Sequence, residues 1–213
     1  MTKPKFGLTA AQLRLLALGL MLLDHTGRVL FPEQIWMVCL GRLAFPIFAF
    51  QTAEGYRHTR NFKRYCLRLG IFALVSEIPF DLMVSGSVFQ PGDQNVMFTL
   101  LLGLMACRLY DRGISWAALL TIPAAALLCT DYGALGVMTV LVFHAFRGQK
   151  PLQLLLLILL NGFGYGFLSI QTFAALAWLP ISLYRGEKGR GGRALQYGSY
   201  VFYPLHMLIL GLL

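Results

Sequence analysis

Charged residues are scarce in this chain, and acidic residues are the scarcest of them. Only 13% of the 213 residues are Asp, Glu, Lys or Arg, and nine acidic residues stand against 18 basic ones. Soluble domains carry about 25% charged residues, so this composition argues against a soluble domain. Hydrophobic residues make up 57% of the chain, and the mean hydropathy is +0.66. These values predict an integral membrane protein.

Several familiar motifs are also missing. The chain has no GxxxxGK[ST] phosphate loop, no HExxH and no GxSxG. Its four cysteines lack CxxC or zinc-ligand spacing, so we interpret them as reduced packing residues. The basic excess is not interleaved with aromatics in an RNA-binding pattern, and no nucleic acid partner is expected. A metal site among the His, Asp and Glu residues is geometrically possible, but no spacing calls for one, and none is predicted.

Apolar runs fill almost the whole sequence. A helix needs about 20 residues to cross the hydrocarbon core of a bilayer, and the runs give about nine such helices, some of them short. The connections are brief and contain no Pro/Ser-rich linker. We therefore predict an all-α, polytopic membrane bundle that forms a single domain over residues 1–213. The predicted spans are 8–30, 34–54, 64–84, 95–110, 114–130, 132–146, 151–166, 168–184 and 196–213.

Lysine and arginine alternate between successive connections. Five of them, from Arg57 to Arg68, follow the second predicted span, whereas the next connection, 84–93, has none. This alternation continues to the end of the chain. By the positive-inside rule it predicts a multi-pass protein of the cell (inner or plasma) membrane with a cytoplasmic N-terminus.

The most informative polar feature is the pair Asp24-His25 inside the first apolar run. Ionisable side chains within a span are costly and mark functional sites. Neighbours on a helix point about 100° apart, so these two residues cannot simply neutralise each other and need partners elsewhere. An imidazole held by an acidic neighbour suits general-base work.

Other polar side chains are predicted to gather at the same outer side of the bundle. They are Arg42, Glu77, Asp81, Asn95, Asp131, Tyr132 and His206. A structural alternative is that they form ion pairs between helices, for example Arg42 with Glu77 or Asp81.

A group of arginines is predicted at the cytoplasmic side. Arginine forks bind phosphates bidentately, so this group suits the phosphates of coenzyme A. The alternative is that it serves only topology and contact with anionic lipid. The group comprises Arg57, Arg60, Arg64 and Arg68.

Six stretches spread over nearly the whole chain form a recognisable pattern. They are LLDHTGRVLF at 22–31, GRLAFPIFAFQTAEGYRHTRNFKRYCLRL at 41–69, SEIPFDLM at 76–83, QNVMFTL at 94–100, DYGALGV at 131–137 and the terminal Tyr203-Pro204-x-His206. The pattern resembles the TraX family, named for the membrane protein that acetylates the N-terminus of F-type conjugative pilin. The resemblance implies a membrane acyltransferase with acetyl-CoA as the donor.

Residue roles follow from the physical reading. Acetyl-CoA is expected to bind the arginine group and to reach His25, which acts as general base or transiently carries the acetyl group. Asp24 is expected to orient the imidazole, and Arg42 or Asn95 to stabilise the oxyanion. The acceptor, an exported peptide such as pilin or a cell-surface glycan, is expected at the remaining outer residues, namely Glu77, Asp81, Asp131, Tyr132 and His206.

Two other functions compete with acyl transfer. Buried acids and histidines also relay protons or hold ions, which would suit a small coupled transporter or flippase. A third hypothesis is an assembly factor of a secretion or conjugation apparatus without chemistry of its own.

Overall fold

The computed structural model describes residues 7–213, and these residues form a helical bundle without a β-sheet. The predicted all-α architecture is confirmed. The helices are α1 (Ala10–Leu30), α2 (Ile35–Gly41), α3 (Ala44–His58), α4 (Phe62–Ser85), α5 (Val96–Asp111), α6 (Ser115–Leu127), α7 (Gly133–Ala145), α8 (Lys150–Tyr165), a 3₁₀ segment (Ile170–Ala177), α9 (Trp178–Ser182) and α10 (Gly192–Gly211).

Each predicted span corresponds to one helical stretch, and two of these stretches are broken. The second consists of α2 and α3, and the eighth consists of the 3₁₀ segment and α9. Within residues 7–213, one stretch, Ile35–His58, is long and apolar enough by length and composition to cross a membrane. Shorter apolar stretches lie at Ser115–Leu127, Gly133–Ala145, Lys150–Tyr165 and Ile170–Ser182.

Polar residues at the ends of the apolar runs fix where the helices begin. Thr9 and Gln12 form a reciprocal capping box at the start of α1. Asn61 caps α4 by accepting a hydrogen bond from the Arg64 amide, and Asn95 caps α5 through the Met97 amide. The α4 helix ends at Gly86, whose left-handed backbone suits a residue without Cβ.

The helices pack around a core that α1, α3, α4, α5 and α10 share. Its fully buried side chains include Leu13, Ile47, Leu104 and Met207. The α10 helix packs along α4, and α1 packs against both α2 and α3. This arrangement brings residues distant in sequence to one interior region.

The bundle places apolar side chains outside and several ionisable ones inside. Leu67, Leu74 and Ile78 on α4 are 53–69% exposed. By contrast, Asp24 and His206 are buried at 6% and 4% exposure. A water-soluble protein rarely shows either feature on this scale.

Candidate functional site

A cavity of about 220 Å³ lies among the ends of α1, α4 and α10 and the junction of α2 with α3. Its polar lining comes from five separate parts of the chain. Asp24 and His25 lie on α1, and Arg42 lies in the α2–α3 break. Tyr203 on α10 also contributes. The loop between α6 and α7 adds Asp131 and Tyr132.

Asp24 and Arg42 form a buried bidentate ion pair. Arg42 Nη2 donates to the two carboxylate oxygens of Asp24 at 2.6 and 2.8 Å. Arg42 Nη1 donates to Gln171 Oε1 at 3.2 Å, and Arg28 Nε lies 3.1 Å from Asp24 Oδ2. The suggested pairing of Arg42 with Glu77 or Asp81 is therefore wrong, because Asp24 is already within reach on the adjoining helix.

The close approach of α1 and α2 depends on a glycine. A Cβ added at Gly41 would lie 2.2 Å from Asp24 Cβ, well inside van der Waals contact. The helix then breaks at Arg42 and Leu43 before α3 begins. The missing side chain and the break together place the guanidinium of Arg42 beside Asp24.

His25 has a different partner from Asp24. Its Nδ1 lies 2.7 Å from His206 Nε2, and His206 Nδ1 lies 2.8 Å from the Phe202 carbonyl oxygen. A carbonyl only accepts, so we assign the proton of His206 to Nδ1. The Nε2 of neutral His206 is then an acceptor, and His25 Nδ1 carries the donated proton. This assignment leaves His25 Nε2 with a free lone pair, and His25 is one of the residues that line the cavity.

The expected contact between Asp24 and the imidazole is therefore not present. Asp24 is occupied by Arg42 and Arg28, and His206 holds the His25 ring. The two rings are nearly parallel, with centroids 5.0 Å apart. His206, predicted to bind the acceptor, instead lies behind His25 as its hydrogen-bond partner.

The loop between α6 and α7 forms another wall of the cavity. Tyr132 has a left-handed backbone, φ 62°, and its ring stacks on Phe45 at a centroid distance of 3.9 Å. The Asp131 amide donates to the Gln94 carbonyl at 2.7 Å. The Asp131 side chain is exposed at the surface and also lines the cavity. Asp93, in the loop before α5, places a third carboxylate at the cavity, after Asp24 and Asp131.

Three predicted site residues lie outside this cavity. The Asn95 side chain donates to the Ala73 carbonyl at 2.8 Å and to Glu77, and it caps α5. Asp81 accepts from the Gln90 amide at 2.8 Å. These groups tie α4 to the start of α5 and to the preceding loop. None of the three lines the cavity, and the oxyanion role of Asn95 and the acceptor contacts of Glu77 and Asp81 stay predictions.

The structure divides the predicted arginine group. Arg57 and Arg60 line a separate cavity of about 580 Å³ beyond the end of α3, together with Arg108 and Arg147. Arg64 is exposed and lines neither cavity. Arg68 lies between α4 and α10, with its guanidinium carbon 5.0 Å from the ring centroid of Tyr65 and 5.3 Å from that of Tyr200.

Sequence reasoning missed several members of the site. Gln171, which fixes Arg42, lies in the 3₁₀ segment, and its only signal was an amide inside an apolar run. Arg28 and Tyr203 lie in the stretches that carry the family resemblance, but the sequence predicted no role for either. Among residues 7–213, no group of three or more His, Cys, Asp or Glu side chains is placed to hold a metal ion.

Comparison with known proteins gives matches along nearly the whole chain. The family model described as "TraX protein" matches residues 9–213. "Probable fimbrial assembly protein FimC, serogroup H1" of Dichelobacter nodosus is 30% identical over 234 residues, covering 95% of this chain and 94% of that protein. "Protein TraX" of Escherichia coli (strain K12) is 27% identical over 215 residues, covering 94% of this chain and 85% of that protein. No solved structure matches the chain.

Proposed function

The chain belongs to the TraX family, and from this premise we propose that it is a membrane-embedded acyltransferase, with acetyl-CoA as donor and His25 as general base. The observation that carries the proposal is the His25–His206 pair at the cavity. Its hydrogen bonds leave His25 Nε2 unprotonated, and His25 lines a cavity of about 220 Å³ with several polar side chains.

Placement in a bilayer is part of the proposal, and two observations support it. Exposed apolar side chains cover the outward faces of helices such as α4, α6 and α10. The basic ends of α3 and α7 lie together, since Arg147 and Glu54 are 3.7 Å apart. Lys150 donates to the Ser182 carbonyl at that same end. A basic end opposite the His25 cavity suits a cytoplasmic face.

The reaction transfers the acyl group from sulfur to the acceptor. The acceptor nitrogen or oxygen attacks the thioester carbonyl, and the C–S bond breaks as the new C–N or C–O bond forms. His25 Nε2 takes the proton that the acceptor loses, and the leaving thiolate then receives it. His206 holds the ring and accepts the Nδ1–H hydrogen bond while His25 is charged.

Arg42 is the proposed electrostatic group. Its Nη atoms are engaged by Asp24 and Gln171, but its buried Nε has no hydrogen-bond partner in the described structure. A fixed cationic donor in a low-dielectric cavity stabilises the oxyanion of the tetrahedral intermediate. Asp24 would hold the guanidinium in position rather than act on the imidazole.

The acceptor side of the cavity carries two carboxylates, Asp93 and Asp131, which suit a polar or cationic acceptor group. We propose as acceptor an exported peptide, which supplies an amine, or a cell-surface glycan, which supplies a hydroxyl. The relative from Dichelobacter nodosus is named as a probable fimbrial assembly protein, which is compatible with an exported peptide.

Radiolabelled acetyl-CoA and membranes containing the protein test this function. Wild-type membranes are expected to place acid-stable label in envelope protein or in glycan, and the labelled fraction identifies the acceptor class. The His25→Ala variant is expected to lose this label. His58→Ala is the matched control, because His58 is an exposed histidine at the end of α3. Equal labelling by His25→Ala and wild type would refute the mechanism.

A further inference from the structure

A second, smaller cavity of about 70 Å³ lies directly beneath the His25 cavity. The two cavities have four lining side chains in common: Met21, Phe48, Val96 and Tyr203. These four side chains, which we call the dividing layer, come from four different helices. A single layer of side chains is therefore all that separates the two spaces.

The lower cavity is lined by small hydrogen-bonding groups along one side. Gln51 and Thr52 come from α3, Tyr65 from α4, and Ser199 and Tyr200 from α10. Hydroxyl and amide side chains of this kind both donate to and accept from amides. The lining also includes Leu18, Leu69 and Leu100. The lining thus suits a linear chain that contains amides and methylene groups.

Two arginines lie at the lower cavity. Arg14 lines it directly, and its Nε donates to Gln51 at 3.1 Å. The guanidinium of Arg68 packs on Tyr65 and Tyr200, which both line the cavity. Arg14 precedes His25 by eleven residues on one continuous helix, a separation of about 16 Å along the axis.

We propose that the lower cavity binds the amide-bearing arm of the thioester donor, with the phosphates at Arg14 and Arg68 and the thioester passing the dividing layer to His25. This inference rests on the proposed function and names its donor site. The phosphopantetheine arm of coenzyme A, when extended, is comparable in length to the axial separation of Arg14 and His25 on α1.

The larger basic cavity is a weaker candidate for this donor. None of its lining residues is shared with the His25 cavity, so nothing joins the two spaces directly. Its positive charge is also partly neutralised. Arg57 and Arg147 lie 3.9 and 3.7 Å from Glu54, and Asp111 is part of the lining.

Binding of coenzyme A and of pantetheine, which lacks the phosphates, is the test, measured by titration calorimetry on purified protein in detergent. Arg68→Gln and Arg14→Gln should each weaken coenzyme A binding roughly 10- to 100-fold, as expected for a lost charged hydrogen bond, and should leave pantetheine binding unchanged. Arg112→Gln removes an exposed arginine at the end of α5 and should change the affinity for neither coenzyme A nor pantetheine.

Filling the lower cavity with a large side chain provides a second test by the same binding measurement. Ser199→Trp fills the lower cavity and should weaken binding of both ligands. The matched control is Gly198→Trp, because Gly198 is exposed and a Cβ there meets nothing within 4 Å. If the affinity for coenzyme A falls in Arg57→Gln and Arg60→Gln but not in Arg14→Gln and Arg68→Gln, the donor occupies the larger cavity. The inference is then wrong.

The binding measurements are independent of turnover, so the inference and the proposed function can fail separately. Coenzyme A binding that depends on Arg68 but accompanies full activity of His25→Ala would leave the donor site standing and refute the proposed base. Loss of activity in His25→Ala with no effect of Arg14→Gln, Arg68→Gln or Ser199→Trp would refute the donor site alone.

Discussion

At the scale of single residues, the site depends on which partner each buried polar group has. His25 lacks a carboxylate partner and instead donates to His206, which is fixed by the Phe202 carbonyl. This chain of two hydrogen bonds holds one tautomer of His25. The same arrangement leaves Asp24 free to neutralise Arg42.

The variant His206→Phe tests the role of His206 as a positioning residue. Phenylalanine keeps a ring next to Phe202 but removes the acceptor for His25 Nδ1–H. General-base catalysis typically contributes a factor of about 10² to 10⁴ to the rate. We expect kcat for acetyl-CoA cleavage to fall by about the lower end of this range, with KM unchanged. Steady-state kinetics with His58→Phe as control measure this. A rise in KM with normal kcat would instead place His206 in substrate binding.

The variant Asp24→Asn tests the buried ion pair. It leaves the charge of Arg42 without its counterion, and breaking a buried pair costs about 3–5 kcal/mol. The measurement is thermal or denaturant unfolding in detergent. Glu33→Gln, an exposed acid in the adjoining loop, is the control and should change stability little. A double variant, Asp24→Leu with Arg42→Met, should recover most of the loss; no recovery would contradict the pairing.

Part of this site was predictable from the sequence. Asp24, His25 and Arg42 stood out because charged residues inside apolar runs are rare. Their partners were not predictable, because Gln171 is 129 residues from Arg42 and His206 is 181 residues from His25. For the same reason Asn95, Glu77 and Asp81 were placed at the site, whereas they form a structural junction between α4 and α5.

At the scale of elements, the contact between α1 and α2 sets the position of Arg42. Gly41→Ala would bring a methyl group against Asp24, and overpacking of this kind costs about 1–3 kcal/mol. We expect lower stability and lower kcat, because Arg42 directly follows α2 and would be displaced with it. Gly19→Ala is the control, since Gly19 on α1 meets nothing within 4 Å. Unfolding and kinetic assays measure the stability and kcat of both variants. Equal values for Gly41→Ala and Gly19→Ala would contradict the importance of the close approach between α1 and α2.

The helices themselves were largely predictable, and their interruptions were not. Apolar runs of helical length and residues such as Asn61 and Gly86 fix the extents of elements like α4. The break at Arg42 and the 3₁₀ segment at Ile170–Ala177 lie inside runs that are mostly apolar. Packing against the rest of the bundle, rather than the local sequence, decides where such helices break. The local sequence pattern therefore did not predict these interruptions.

At the scale of the whole molecule, the exposed apolar side chains allow the proposed placement in a bilayer to be tested. Leu74 lies near the middle of α4 and is 69% exposed. A lysine there would cost about 2.5–3.5 kcal/mol at the centre of a membrane helix, but almost nothing on a water-facing surface. We expect Leu74→Lys to reduce membrane insertion and yield. Gln149→Lys, at an exposed loop position, is the control. Unchanged insertion of Leu74→Lys would argue against a lipid-facing α4.

The central claim is that this bundle cleaves an acyl thioester at His25. The most direct measurement is binding and thiol release from acetyl-CoA by the purified protein in detergent, comparing wild type with His25→Ala. We expect saturable binding by both proteins and slow thiol release by wild type alone. Binding without any thiol release, or equal release by both proteins, would contradict the claim. A folded protein that binds no acetyl-CoA would shift the interpretation to a transporter that uses the same buried groups as a proton relay.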